Sequence, residues 1–489
     1  MTRPDSTEFT SIPLAGGSTS PWTCLAEVDA RSLPERPLQS LLTAADMMCQ
    51  PNQPDNVPLI LEGLADAYRS LPGTEAFQLA GAVGALFHEL RHVYDFMSTG
   101  TGATFALAWR RAICRANLLV EDLRQWTMVD PARFVPVPLT QQWLADNLAD
   151  RHSSELFRDV VGQMDRLTTM WTVERNAERI VPGLSISQLF ESLAFTIQVE
   201  FTAGFFGPEA ATALQAIAER PDAHISHQRY TYAATAAVQL LDTVDSMPDI
   251  ARAWAVPILV TNALDEEVPP EPAADGKSRP PSVDRFFAAQ GPIPLLLDVA
   301  NLLRRFDYDE LPVNEKLGPS MEYHIGSLFD EHLAALGDRD NRRRARIEKM
   351  QAFARETDEI VGSGRFSGGR PNHANTGLSI PAMYEVYHGI RMSDVGVHDG
   401  QRWTAMSLLG LLPPVAFRIR LPGDQTVLGR TASEWEWPPD QTLQADQELT
   451  RWRALTRPRR ILDSDELRQM RSRLEAGDLD LGPRIRHQP

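Results

Sequence analysis

Residues 86–100 read LFHELRHVYDFMSTG. The large apolar residues in and before this stretch, Leu79, Val83, Leu86, Leu90, Val93 and Met97, recur at alternating steps of four and three. That spacing marks one face of an α-helix sustained over about five turns. At about 100° per residue, His88 and His92 fall on the opposite side, with Gly81, Gly84 and Ala85 before them and Asp95 and Thr99 after. A freely solvated face would carry Lys, Glu and Arg. Glycine costs about 1 kcal/mol against alanine inside a helix, so Gly81 and Gly84 imply close approach of another backbone or of a substrate strand. The helix is therefore expected to be covered on both sides, and Gly100 and Gly102 are expected to stop it.

Imidazoles at i and i+4 sit one above the other, so His88 and His92 can converge on one tetrahedral cation. Glu89 lies about 100° round the helix. It is badly placed to share that cation but well placed to take a proton from a water beside it. The H-E-x-x-H stretch resembles the zincin metallopeptidases. The resemblance implies a zinc ion, His88 and His92 as ligands, and Glu89 as general base.

A catalytic zinc needs a third protein ligand. Asp95 shares the histidine face, but its Cα lies about 10 Å along the axis from that of His88. It is expected either to accept a ring N–H of a ligating histidine from outside the coordination sphere or to be a plain surface acid. No histidine follows His92 until His152, which disfavours the metzincin pattern. A gluzincin-like arrangement takes a glutamate from a later helix. In SISQLFESLAFTIQVEF, residues 185–201, Ser185 and Gln188 have capping-box spacing, and Glu191 sits in an otherwise apolar run. A carboxylate there is costly unless paired, protonated or bound to a metal. The segment E-S-L-A also resembles the Glu-x-x-Ala form of many gluzincins. Glu191 is the expected third ligand. Glu200, Glu121 and Glu155 are the other candidates, and a buried salt bridge to an arginine is the bland alternative for Glu191. For the oxyanion of an attacked carbonyl, HISHQRYTY (224–232) offers His227 and Tyr230 as weak candidates.

The surrounding chain has 489 residues, 43% of them hydrophobic, enough for two or three domains. A net charge of −17 argues against general affinity for nucleic acid. No apolar run is long enough for a membrane span, and the first residues lack a secretory apolar core. Three widely spaced cysteines form neither a disulfide framework nor a metal clip, so a cytoplasmic setting is expected.

Composition divides the chain into an irregular arm (1–38), a helical region (39–265), a proline-rich linker (266–282) and a mostly helical carboxy-terminal region (283–489). VAFRIRLP (415–422) alternates as a strand. GSGRFSGGRPNHANTG (362–377) reads as a loop and 440–476 as charged helix. The basic run RDNRRRARIEKM (339–350) reads as a solvated helix face, and His373, His388 and His398 show no metal spacing.

The expected fold is mainly α: a zincin-like helical catalytic region with few short strands, followed by a mostly helical carboxy-terminal region. The expected activity is zinc-dependent hydrolysis of peptide bonds in a peptide or protein substrate, without nucleic acid or membrane. A non-enzymatic regulatory or interaction protein on the same fold is the alternative class, with the carboxy-terminal region binding a protein partner.

Overall fold

The computed structural model describes residues 16–20, 25–50, 56–109, 111–112, 163, 167, 171, 184–218, 249–266, 291–303, 317–362, 376–392, 412 and 414–431. Two short strands come first, β1 (Gly16–Ser20) and β2 (Leu25–Asp29). They are followed by helices α1 (Glu35–Cys49), α2 (Asn56–Ser70) and α3 (Gly73–Ser98). Residues 100–109 continue as helix after a break at Thr99. Then come α4 (Ile186–Phe206), α5 (Pro208–Ala218), α6 (Asp249–Asp265), α7 (Pro292–Leu303), α8 (Leu317–His332), α9 (Arg339–Gly362) and α10 (Thr376–Met392). Strands β3 (Ala416–Arg420) and β4 (Thr426–Arg430) close the described chain. Among the described residues the protein is mostly helical with one small sheet, and no helix is long and apolar enough to cross a membrane.

The sheet runs in the order β1-β2-β3-β4. Its outer pairs are antiparallel and its central pair, β2 with β3, is parallel. Registers place Thr19, Ala26, Phe417 and Gly429 in one cross-strand row and Gly17, Val28, Ile419 and Val427 in the row two residues along. Side chains alternate across a strand, so these two rows share one face. Ala26, Val28, Phe417 and Ile419 are wholly buried on it. Both β1 and β2 pack on α3.

Helix α3 is the hub. Every residue from Ala76 to Ser98 is buried, as the small-residue face opposite the aliphatic stripe requires. Its chief partner, α4, runs antiparallel to it: Phe87 stacks on Phe201 at 4.4 Å, and Phe96 meets Phe190 edge-on at 4.9 Å. At Gly84 an added Cβ would stand 3.1 Å from Gln198 Nε2 and 3.3 Å from Thr202 Oγ1, which explains a glycine inside this helix. One buried hydrophobic cluster extends from Ala26 to Ile419 and draws on residues both before and after 266–282.

Several expectations change. The segment expected to be an irregular arm carries β1, β2 and the start of α1. GGSTS shows no apolar alternation because its inward positions, Gly17 and Thr19, lie flush against a helix. Gly100 and Gly102 do not end α3 through a left-handed turn, since neither has positive φ. Thr99 breaks the helix in an extended conformation, and its hydroxyl accepts from the Gly102 amide at 3.1 Å to start the next one. A Cβ on Gly100 would lie 2.7 Å from the Asp265 carbonyl oxygen and from Arg346 Nε, so close packing requires that glycine.

The basic run is not wholly solvated. Arg342 and Arg346 are buried. Arg342 Nε donates to Glu266 Oε2 at 3.1 Å, and Arg346 Nη1 donates to Tyr384 Oη at 2.8 Å. The strand expected within 415–422 is β3. The glycine-rich stretch lies outside the described residues except where its ends close α9 and open α10, and 440–476 lies wholly outside them.

Candidate metal centre

The capping box foreseen at Ser185 and Gln188 forms. The Ser185 amide donates to Gln188 Oε1 at 2.7 Å, and α4 begins at Ile186. This fixed start, with the phenylalanine contacts along α3, sets the rotation of α4 and turns Glu191 toward the histidine face. Glu191 Oε2 lies 3.2 Å from His88 Nε2 and 3.3 Å from His92 Nε2. The ligand-bearing atoms of the three residues all fall within 4.8 Å of one another. The two imidazole planes are nearly perpendicular, with ring centres 4.6 Å apart.

These separations suit a cation. Ligands about 2.0–2.1 Å from a tetrahedral zinc stand roughly 3.3 Å apart. A charge-assisted hydrogen bond between imidazolium and carboxylate would draw in to about 2.7–2.9 Å. One oxygen almost equidistant from two imidazole nitrogens, beyond that range, resembles the edge of a coordination tetrahedron. Burial raises the Glu191 carboxyl pKa, but His92 and His88 outweigh it and hold the group well below the ordinary carboxylate range. His88 and His92 are only 3% and 4% exposed, whereas 27% of the Glu191 side chain faces solvent, so the group is open on the glutamate side.

Glu89 is 4% exposed and lies beneath β1. The Thr19 hydroxyl is 2.6 Å from Glu89 Oε2 and 3.1 Å from the Glu89 carbonyl oxygen, and its one proton is donated within reach of both acceptors, the carboxylate being the nearer. Burial pushes the Glu89 carboxyl up to about 7; His88 opposes the shift, nearby Glu191 adds to it, and the Thr19 hydrogen bond opposes it. A carboxylate with that value exchanges protons readily near neutral pH.

Asp95 does not meet its expected role. Both its oxygens accept from Arg91 Nε at 3.0 Å, and Oδ1 also accepts from Arg391 Nη2 at 3.3 Å. Arg391 further donates to Ser98 Oγ at 2.6 Å and Thr261 Oγ1 at 3.3 Å. Two arginines, one of them from α10, claim the carboxylate that was expected to face a histidine or solvent. Nδ1 of His92 is buried and has no hydrogen-bond partner among the described residues. His388 belongs to a different buried group: its Nε2 is 2.7 Å from Asp265 Oδ2, and Tyr384 donates to Asp265 Oδ1 at 3.0 Å.

Glu200 lies nine residues beyond Glu191 on α4, about 13 Å along its axis, and is not part of the cluster. His227, Tyr230, Glu121 and Glu155 lie outside the described residues. Sequence patterns did not point to Thr19 or Gly17; a hydroxyl and a glycine in a Ser/Thr-rich arm carry no chemical signature. No protein-family model, no curated protein and no solved structure matches the chain.

Proposed function

We propose that the chain is a zinc-dependent peptidase of zincin type and gluzincin-like arrangement. The supporting observation is the convergence of Glu191 Oε2 with the Nε2 atoms of His88 and His92, beside a glutamate on the next residue of the same helix. His88, His92 and Glu191 would hold the ion. When bound, zinc supplies a Lewis acid that polarises a peptide carbonyl and acidifies water. Glu89 takes a proton from the attacking water as its oxygen bonds to the carbonyl carbon. The same carboxyl then delivers that proton to the departing amide nitrogen as the C–N bond breaks. The open glutamate side gives a substrate its approach.

Burial of Glu89 beneath β1 favours a second reading, a binding protein that keeps the metal group for structure. One comparison separates the two. Purified protein should contain one zinc and cleave members of a broad peptide library, and Glu89→Gln should keep the zinc and lose cleavage. Zinc retained with no cleavage by the wild type would leave the binding protein. Metal-free protein would reject the centre.

A further inference from the structure

We infer that Thr19 is a positioning residue for Glu89, so that the edge strand β1 is a working part of the site. The inference rests on the peptidase reading above.

Two independent contacts carry it. The Thr19 hydroxyl lies within hydrogen-bond reach of both Glu89 Oε2, at 2.6 Å, and the Glu89 carbonyl oxygen, at 3.1 Å. One side chain thus gauges the carboxylate against its own backbone. Two residues earlier on the same strand face, a Cβ on Gly17 would overlap Glu89 Oε1 and stand 2.7 Å from Glu89 Cγ and 2.8 Å from Cδ. Glu89 is therefore held on one carboxylate oxygen by a donor, and its flank is fitted to a missing side chain. Pairing of Thr19 with Ala26 and of Gly17 with Val28 fixes the register that delivers both contacts.

A general base must be held in the geometry of proton transfer, and partners that orient such groups are worth about 10–100-fold in activity. The test uses the full chain. Thr19→Val should lower kcat on a cleaved peptide by about 10–100-fold, leave KM within about twofold and leave zinc content unchanged. Thr19→Ser should restore kcat to within about threefold, because the hydroxyl returns without the methyl. Gly17→Ala should lower kcat from the other side. Wild-type kcat in both Thr19→Val and Gly17→Ala would overturn the inference. So would equal loss in Thr19→Val and Thr19→Ser, which marks a packing role.

Crystal structures of wild type and Thr19→Val give a readout apart from turnover. The Glu89 carboxylate should leave its wild-type position in the variant; an unmoved carboxylate would overturn the inference. A wild type that binds zinc and cleaves nothing defeats the peptidase reading, and the crystallographic comparison still decides the pairing of Thr19 with Glu89.

Discussion

Arg391 of α10 donates to Asp95 of α3 at 3.3 Å, joining positions 296 residues apart in a fully buried ion pair. The contact fastens α10 to the helix that carries His88 and His92, one turn beyond the second histidine. Breaking a buried pair leaves an uncompensated charge, which costs about 3–5 kcal/mol. Arg91 keeps a share of Asp95 in this case. Arg391→Ala is therefore expected near the lower bound, about 3 kcal/mol, in urea unfolding at pH 7. Zinc stoichiometry of the folded fraction should not change, since no ligand contacts Arg391.

Gly84 tests the antiparallel seat of α4 on α3. A valine there brings branched carbons against Gln198 and Thr202, and overpacking of this kind costs about 1–3 kcal/mol. The helices must separate at a point one turn from His88. Gly84→Val should weaken zinc binding, measured by competition with a chromophoric chelator, whereas Gly84→Ala needs only a few tenths of an ångström and should weaken it less.

Glu191→Gln keeps the shape of the side chain and removes its charge. Partners outside a coordination sphere cost about 10–100-fold in metal affinity when lost, so removal of a ligand should cost more than about 100-fold. Glu200→Gln, farther along α4, should leave affinity at the wild-type value. Equal affinities in the two variants would show that the cluster does not bind through Glu191.

Asp265 gives a pH signature remote from the centre. Burial raises its carboxyl pKa, but His388, then Arg346 and Arg391, outweigh it and hold the group well below the ordinary range. A folded value below the unfolded one contributes stability that is complete above the unfolded pKa of about 3.9. That contribution declines as pH falls from there toward the folded value. Urea midpoints should therefore drop below pH 4 more steeply for wild type than for Asp265→Asn, which is less stable at pH 7. Parallel pH profiles would contradict this assignment.

Local patterns made part of this site legible. The 4-3 spacing of aliphatic residues defines α3, and it places His88 and His92 on one face without reference to distant chain. Glu191 stood out because an acid in an apolar run needs a partner, and the capping box at Ser185 fixed where its helix starts. Contacts between distant segments were not legible. Asp95 shares the histidine face, yet Arg391 reaches it from nearly three hundred residues away. Arg342 and Arg346 looked solvated because their acids, Glu266 and Asp265, sit where α6 meets the proline-rich stretch. The strand GGSTS carries no hydrophobic period, because the helix surface it meets requires small residues.

Anomalous diffraction at the zinc edge, on crystals of the full chain grown with stoichiometric zinc, tests the central claim most directly. The account predicts one peak about 2.0–2.1 Å from His88 Nε2, His92 Nε2 and a Glu191 carboxylate oxygen. Zinc density elsewhere, or imidazoles that bond directly to Glu191 with no peak between them, would contradict it.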